Sequence, residues 1–277
     1  MLDLNLNDLI ARSLKEDIGT GDITTNSTIP ADKTITGRFL AKENGILCGM
    51  EVAGAVFAFV DPSIELVWMK KDGEAIEKGE VIATVSGNAR SILTGERLAL
   101  NLLQHMSGIA TRTHEAVEKV AGSRARIADT RKTTPGLRVL EKYAVKCGGG
   151  SNHRFNLADG VLIKDNHIEA AGSITKAVEM ARSNIPHTLK IEVEVETFPQ
   201  LEEALAAGAD IIMLDNMNCA DMTKAVEIVA GRALTEASGN MGEKDLAEVA
   251  RTGVDIISIG ALTHSVKALD ISLKFKF

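Results

Sequence analysis

The chain has 277 residues, 45% of them hydrophobic, with 31 basic and 38 acidic side chains and a formal charge of −7. That is enough for one large α/β domain or two smaller ones with a substantial core, which excludes a disordered or fibrous chain. The sign of the charge excludes a general binder of nucleic acid or of membrane surfaces, so any anion site must be local.

The first stretch, "MLDLNLNDLIARSLKEDIG", mixes acids with leucines at near-helical spacing. It carries neither a basic n-region nor a small-residue cleavage site, so no secretory signal is expected. The longest apolar run, "GAVFAFV", is far short of the roughly 18 residues of a spanning helix. No membrane contact is expected, and the cytoplasm is the expected compartment. Cys48, Cys147 and Cys219 are an odd number with no CxxC or histidine partner pattern, and read as reduced thiols in packing positions. Of the three, Cys147 alone stands beside a candidate site.

The segments "TITGRFLAKENGILCGMEVAGAVFAFV" and "IELVWMKKDGEAIEKGEVIATVSGNA" suggest strands with Gly turns. "SILTGERLALNLLQHMSGIAT" then suggests a long helix, giving an α+β first domain. "KDGEAIEKGEVIATVSG" has the turn spacing of a biotinyl or lipoyl hairpin but no lysine at the tip, so it reads as a structural hairpin.

From about residue 125 the pattern alternates as βα units of a parallel sheet. The strands expected are "RARIAD", "GVLIKDN", "KIEVEVE", "DIIMLDN", "RALTEAS" and "VDIISIG". The helices are "ITKAVEMARSN", "FPQLEEALAAG", "ADMTKAVEIVA" and "GEKDLAEVARTG", the second and fourth closing on a C-terminal Gly. "AAGADIIMLDN" and "RTGVDIISIGA" form a weak internal repeat of the helix-to-strand step. Six or seven such units suit a shortened barrel or an open doubly wound sheet rather than an eight-fold barrel.

In such architectures active sites gather at the C-terminal ends of the strands. Those ends supply Asp129, Arg131, Lys132, Lys164, His167, Glu194, Glu196, Asp215, Asn216, Glu236, Ser238, Gly239, Asn240 and Gly260. Between Asp129 and His167 there are seven Lys/Arg against four acids, a local +3 in an acidic chain. Such a run is either a solvated face or a site; the position of Arg131, Lys132 and Lys164 at strand ends beside turn chemistry favours the site. Arginine suits bidentate capture of a carboxylate or phosphate and lysine acts as a point charge, so the mixture fits a small ligand with more than one negative group. Gly148, Gly149 and Gly150 allow either close anion approach or tight packing. His153 is open between structural hydrogen bonding and a role in the site.

In "KIEVEVE" the glutamates 192, 194 and 196 share one face of a strand and need a cationic answer. Glu194 and Asp215 could hold Mg²⁺ with a phosphate. The competing reading is internal salt bridging with Lys164 and Lys190. "EASGN" and "SIGAL" place small residues on the last two strand ends, a common phosphate cradle.

Taken together, "LKEDIGTGDITT", "GERLALNLLQHMSGIAT", "DTRKTTPGLRVLEKYAVKCGGGSNHRFNLADGVLIKDNHI", "IEVEVET", "MLDN", "EASGN" and "SIGALTHS" resemble the quinolinate phosphoribosyltransferase family, the carboxylating nicotinate-nucleotide pyrophosphorylases, nearly end to end. The resemblance implies an α/β chain: an N-terminal α/β sandwich over 1–107, joined by the tail 266–277, and a seven-stranded TIM-like α/β barrel over 108–265. It implies conversion of quinolinate and phosphoribosyl pyrophosphate to nicotinate mononucleotide, CO₂ and pyrophosphate, with Mg²⁺ as cofactor, in NAD biosynthesis. It also implies a homodimer, open to higher assembly, in which Arg97 reaches the neighbouring site.

Carried over by motif, quinolinate would meet Arg97, Arg131, Lys132, His153, Arg154 and Lys164. Phosphoribosyl pyrophosphate would meet Lys132, Lys164, Glu194, Asp215, Ser238, Gly239, Asn240 and Gly260, with Lys132, Glu194 and Asp215 in catalysis. Two alternatives stand beside this: a molybdenum-transport-associated relative with another acceptor, and a non-catalytic binding protein for a phosphorylated dicarboxylate.

Overall fold

The structure, a computed structural model, describes residues 6–275; the first five residues of the N-terminal leucine pattern lie outside them. Contacts divide the chain into two compact units. One holds the chain up to His114 together with Pro135–Gly149 and the segment from Ser265; the other holds Glu115–Thr134 and Gly150–His264. The sequence reading had assigned 135–149 to the barrel domain.

The first unit begins with α1 (Leu6–Ile18) and α2 (Ile23–Thr28), the latter capped by the Asp22 carboxylate accepting from Thr25 N–H. There follow β1 (Thr34–Ala41), β2 (Gly45–Ile46), α3 (Met50–Val60), β3 (Glu65–Trp68), β4 (Ala75–Ile76), β5 (Val81–Asn88) and α4 (Ala89–Lys119). The segment "MEVAGAVFAFV", expected among strands, is helix α3. Gly49, at φ 110°, turns the chain into it, and Val52, Ala53, Val56 and Phe57 recur at helical spacing on its buried face.

The second unit carries β6 (Arg126–Ala128) before the chain returns to the first with α5 (Arg138–Cys147). Then come β7 (Val161–Ile163), α6 (Asp165–Ala171), α7 (Ile174–Asn184), β8 (Ile191–Val195), α8 (Phe198–Ala206), β9 (Ile211–Asp215), α9 (Cys219–Val229), β10 (Leu234–Ser238), α10 (Leu246–Arg251), β11 (Ile256–Ser258) and α11 (Ala261–His264). The last strand, β12 (Ile271–Phe275), is back in the first unit and pairs antiparallel with β1. The four-stranded sheet there runs β12-β1-β5-β3, and Phe39 at its centre stacks edge-on against Phe57 and near Trp68.

The helix α5 was absent from the sequence expectations. Its Leu140, Ala144 and Val145 are buried on one face. At its C-terminal end a side chain on Gly148 would collide with the Ala110 carbonyl and Thr113, so close packing is what that glycine supplies.

In the second unit six parallel strands run in the order β6-β11-β10-β9-β8-β7, and helices α7 to α10 pack in succession. Seven strands were expected. Six carry the ladder, and the seventh place is held by a single parallel bridge of Ser151 to Ala128. The helices are closed as the sequence suggests: Thr197 and Gln200 form a capping box on α8, and Gly208 and Gly253 follow α8 and α10 with φ of 78° and 87°. On β8, Ile191, Val193 and Val195 are fully buried and alternate with Glu192 and Glu194. That alternation puts the two carboxylates on the opposite face from the three apolar residues.

Candidate active site

The rim of the second unit's sheet is assembled from strand ends. Lys164, just past β7, donates from Nζ to Glu194 Oε2 at 2.8 Å, on the neighbouring β8. Asp215 ends β9, and its Oδ2 accepts from Asn216 Nδ2 at 2.6 Å. Asn216 is left-handed at φ 56°, and its N–H donates to Ser238 O at 3.1 Å. Gly239 faces it: a Cβ there would lie 2.7 Å from Asn216 N, and its own φ is 92°, so both space and conformation demand glycine. Asn240 is left-handed as well, at φ 50°.

Across the sheet, Thr263 Oγ1 donates to the Lys132 carbonyl at 2.7 Å and Lys132 N–H donates to Thr130 Oγ1 at 3.0 Å. The Lys132 side chain runs so close over Gly260 that a Cβ there would be 3.1 Å from its Cδ. The structure therefore brings Lys132 to Gly260, Lys164 to Glu194, and Asp215 through Asn216 to Ser238 and Gly239. Glu196 is exposed, its N–H donating to Gln200 Oε1, and Lys190 forms no ion pair with any of these acids.

Behind the rim lies a cavity of about 460 Å³ lined by His153, Arg154, Glu192 and Glu236 and by residues that begin strands, among them Arg126 and Ile256. Two signals set its chemistry. First, buried Asp129 accepts His153 N–H on Oδ1 at 2.9 Å and the Asn152 side chain on Oδ2 at 2.6 Å, tying 152–153 to the end of β6. Second, Arg154 N–H donates to His153 Nδ1 at 2.8 Å. Nδ1 is thus an acceptor and the ring proton sits on Nε2, which points at Glu192 Oε2, 3.1 Å away, and Glu236 Oε1, 3.7 Å away. A nitrogen that already carries a proton cannot ligate a metal, so this trio is a hydrogen-bonded charge cluster. Glu192 Oε1 and Glu236 Oε1 have no hydrogen-bond partner of their own. Burial, and then the Glu192 charge, push the Glu236 carboxyl up to about 7, against the opposing pull of His153.

Arg154 Nη1 donates to the Gly160 carbonyl at 3.0 Å. Desolvation, and then the charge of Arg131, hold this guanidinium below its usual range, with Glu192 and Asp159 acting the other way. A partly desolvated guanidinium on the wall of a cavity, with a second positive charge acting on it, is a candidate contact for an anion. The donor set of Glu194 and Asp215 fits a hard divalent cation completed by phosphate oxygens and water, although Lys164 already supplies one positive charge to Glu194.

Arg97 lies on α4 in the first unit and is exposed. Of the seven cations in the central basic run, Arg138, Lys142 and Lys146 belong to α5 in the first unit, and Lys142 is fully buried. Sequence reasoning gave no role to Asp129, Asn152 or Glu236. Their one signal was position: Asp129 opens the basic run and Glu236 falls two residues before Ser238 on the inward face.

A parallel α/β unit with acids, lysines and glycines at its strand ends, and a desolvated guanidinium beside a second one, defines an enzyme fold equipped for small polyanionic substrates. Residues 22–107 match the quinolinate phosphoribosyl transferase N-terminal domain and residues 109–274 its C-terminal domain, so the chain belongs to the quinolinate phosphoribosyltransferase family of pentosyl-transferring enzymes.

It is 48% identical over 273 residues to the probable nicotinate-nucleotide pyrophosphorylase (carboxylating) of Bacillus subtilis, covering 99% of this chain and 94% of that one. It is 47% identical over 289 residues to the chloroplastic nicotinate-nucleotide pyrophosphorylase (carboxylating) of Arabidopsis thaliana, covering 98% and 82%. Among solved structures, the nicotinate-nucleotide pyrophosphorylase from Francisella tularensis superposes with a TM-score of 0.94 at 43% identity, covering 98% of this chain and 96% of that one. No described helix is long and apolar enough to cross a membrane.

Proposed function

We propose that the chain transfers phosphoribosyl from phosphoribosyl pyrophosphate to the nitrogen of quinolinate and releases CO₂, giving nicotinate mononucleotide and pyrophosphate. The observation that carries this reading is the cavity lined by His153 and Arg154, whose partly desolvated guanidinium feels the charge of Arg131 and suits a ligand with adjacent carboxylates. Lys164 adds a third cation from the next strand end. His153 positions this group: its Nδ1 receives the Arg154 backbone while Nε2 is anchored on Glu192.

Phosphoribosyl pyrophosphate is assigned to the rim. Glu194 and Asp215 face the ribose, and Ser238, Gly239, Asn240 and Gly260 surround the 5′-phosphate, where the strand-end turns offer backbone N–H groups to phosphate oxygens. Lys132 stands beside Gly260 and stabilises the charge that develops on the leaving pyrophosphate. Mg²⁺ on Glu194 and Asp215 would neutralise further phosphate charge when bound. After nitrogen attack the pyridine is cationic, and that charge stabilises the carbanion left as the 2-carboxylate departs as CO₂. Positioning and electrostatics carry the barrier reduction, so no covalent enzyme intermediate forms.

The active form we propose is a homodimer in which exposed Arg97 completes the partner's quinolinate site. An Arg97→Ala chain mixed with an Arg131→Ala chain then regains activity in the mixed dimer, whereas mixed dimers that form and stay inactive remove the shared site. The cytoplasm is the proposed compartment, supported by three unpaired thiols.

The reaction is tested by supplying purified protein with quinolinate, phosphoribosyl pyrophosphate and Mg²⁺ and measuring CO₂ and nicotinate mononucleotide together. Stoichiometric formation of both is expected. Product from nicotinate but not from quinolinate would reassign the acceptor.

A further inference from the structure

In the first unit, among residues given no role above, the sulfurs of Cys48 and Cys147 and a carboxylate oxygen of Asp72 all lie within 4.8 Å of one another. The two cysteines are 99 positions apart in sequence. Cys48 is fully buried and its backbone is held from both sides by Ser107, whose Oγ accepts Cys48 N–H at 3.0 Å and donates to Cys48 O at 3.1 Å. Cys147 is the last residue of α5 and is partly exposed. Its end of the helix sits on the turn after Asp72, where a Cβ on Gly73 would touch the Cys147 carbonyl at 3.4 Å.

Asp72 is already committed. Its Oδ1 accepts the N–H groups of Gly49 and Met50 at the start of α3, at 3.0 and 3.2 Å, and its Oδ2 accepts the Tyr143 hydroxyl at 2.9 Å. A metal would find Asp72 taken and the Cys147 sulfur hydrogen-bonded by Cys48 and Tyr143, which leaves too few free ligands for a closed site. Two thiols facing each other, one reachable from solvent and one sealed behind it, are instead arranged for oxidation to a disulfide.

We propose that Cys48 and Cys147 form a reversible disulfide with a hydroperoxide as oxidant. The Cys147 thiolate attacks one peroxide oxygen, the O–O bond breaks, and Cys147 S–OH forms while the other oxygen leaves as hydroxide or alkoxide and takes a proton from water. The Cys48 sulfur then attacks the Cys147 sulfur, the S–O bond breaks, and the departing hydroxide leaves as water with the Cys48 proton. The two thiols lose two electrons and the peroxide gains them.

The division of labour follows from the surroundings. The Cys48 S–H hydrogen bond holds the Cys147 thiol below its ordinary range despite burial, which favours its thiolate. Burial pushes the Cys48 thiol up, so it keeps its proton until the sulfenic acid is in place. An S–S bond is about 2.05 Å long, so closing the remaining gap draws the last turn of α5 toward the Leu47–Gly49 segment. In sequence, α5 joins Arg131 and Lys132 to His153 and Arg154. Oxidation therefore lowers turnover of quinolinate, a consequence that rests on the function proposed above, whereas the disulfide itself does not.

The test treats the full protein with hydrogen peroxide and follows it by intact mass, peptide mapping and activity. The expected result is loss of two hydrogens, a cross-linked peptide joining Cys48 to Cys147, Cys219 still open to alkylation, a several-fold drop in turnover, and recovery of all of these with dithiothreitol. Cys147→Ser should show no cross-link, and neither should Cys48→Ala where circular dichroism shows it folded.

Should Cys48→Ala not fold, the wild type and Cys147→Ser still decide the matter. Mass gain by oxygen alone, a cross-link through Cys219, or a bond between two chains would overturn the proposal. A correct cross-link in a protein that never turns over quinolinate would leave the disulfide standing and remove the substrate assignment instead.

Discussion

Glu192 and Glu194 stand two residues apart on β8 and share one face of the strand, yet they inhabit different chemistry. Glu194, at the rim, is part-exposed and meets an exposed lysine; Glu192, one step deeper, is buried against the Nε2–H of His153 and the carboxyl of Glu236. The rim carbonyls, glycines and charged side chains are placed to meet a substrate that brings its own charges. The interior has to balance charge by itself, and it does so with one imidazole proton and a carboxyl pushed toward neutrality. On the proposed function, the catalytic groups sit at the rim, where substrate can replace water, and the positioning groups sit on the buried face.

Three variants separate the two regions. The largest effect on stability is expected from His153→Ala, which leaves two buried carboxylates face to face without the imidazole N–H; about 4 kcal/mol should be lost in urea unfolding. The loss should be greater at pH 8 than at pH 6, because the acids can escape by protonation only where protons are available.

The second effect is on pH dependence. The Glu236 carboxyl is raised from 4.5 to about 7 in the fold, so the folded state holds a proton that the unfolded chain releases. Its contribution is fully present below about 4.5, falls as the pH rises towards about 7, and is flat above, to a limit of about 3 kcal/mol. Stability curves of the wild type should show this decline, and Glu236→Gln should remove it. A decline of equal size in the variant would place the titration elsewhere.

The smallest stability change is expected at the rim. Glu194→Gln breaks an ion pair whose lysine is 45% exposed, so unfolding should shift by less than about 1 kcal/mol. Turnover should nevertheless fall by roughly 100-fold or more, since on the proposed function the lost charge faces the reacting ribose. An equal loss of stability at Glu194 and at His153 would erase the contrast between the two layers.

Much of this was legible in the sequence. The alternation of "KIEVEVE" predicted a strand with its carboxylates on one face, and the strand-end order singled out Lys132, Lys164, Glu194, Asp215, Ser238 and Gly260, which lie at or just past strand ends in the fold. What was not legible depended on register. Which of three glutamates faces His153 is set by tertiary packing, which brings Glu192 Oε2 to 3.1 Å from Nε2, information that no local pattern contains.

Helix α3 was hidden because Val and Phe favour strands as single residues, while the Gly49 turn and burial on a helical face decided otherwise. Helix α5 was hidden inside a basic run, whose Lys142 is a core residue rather than a ligand for anions. The shrinkage of the seventh strand to one bridge at Ser151 likewise leaves no periodic signal behind.

The central claim is that Arg131 and Arg154 form a receptor for adjacent carboxylates. Titration calorimetry of quinolinate into the wild-type protein and into Arg154→Ala tests it most directly. The account predicts binding that weakens with added salt in the wild type and weakens at least about 30-fold in the variant, the scale of a lost charge-assisted contact. Unchanged quinolinate affinity in a folded Arg154→Ala protein would contradict it.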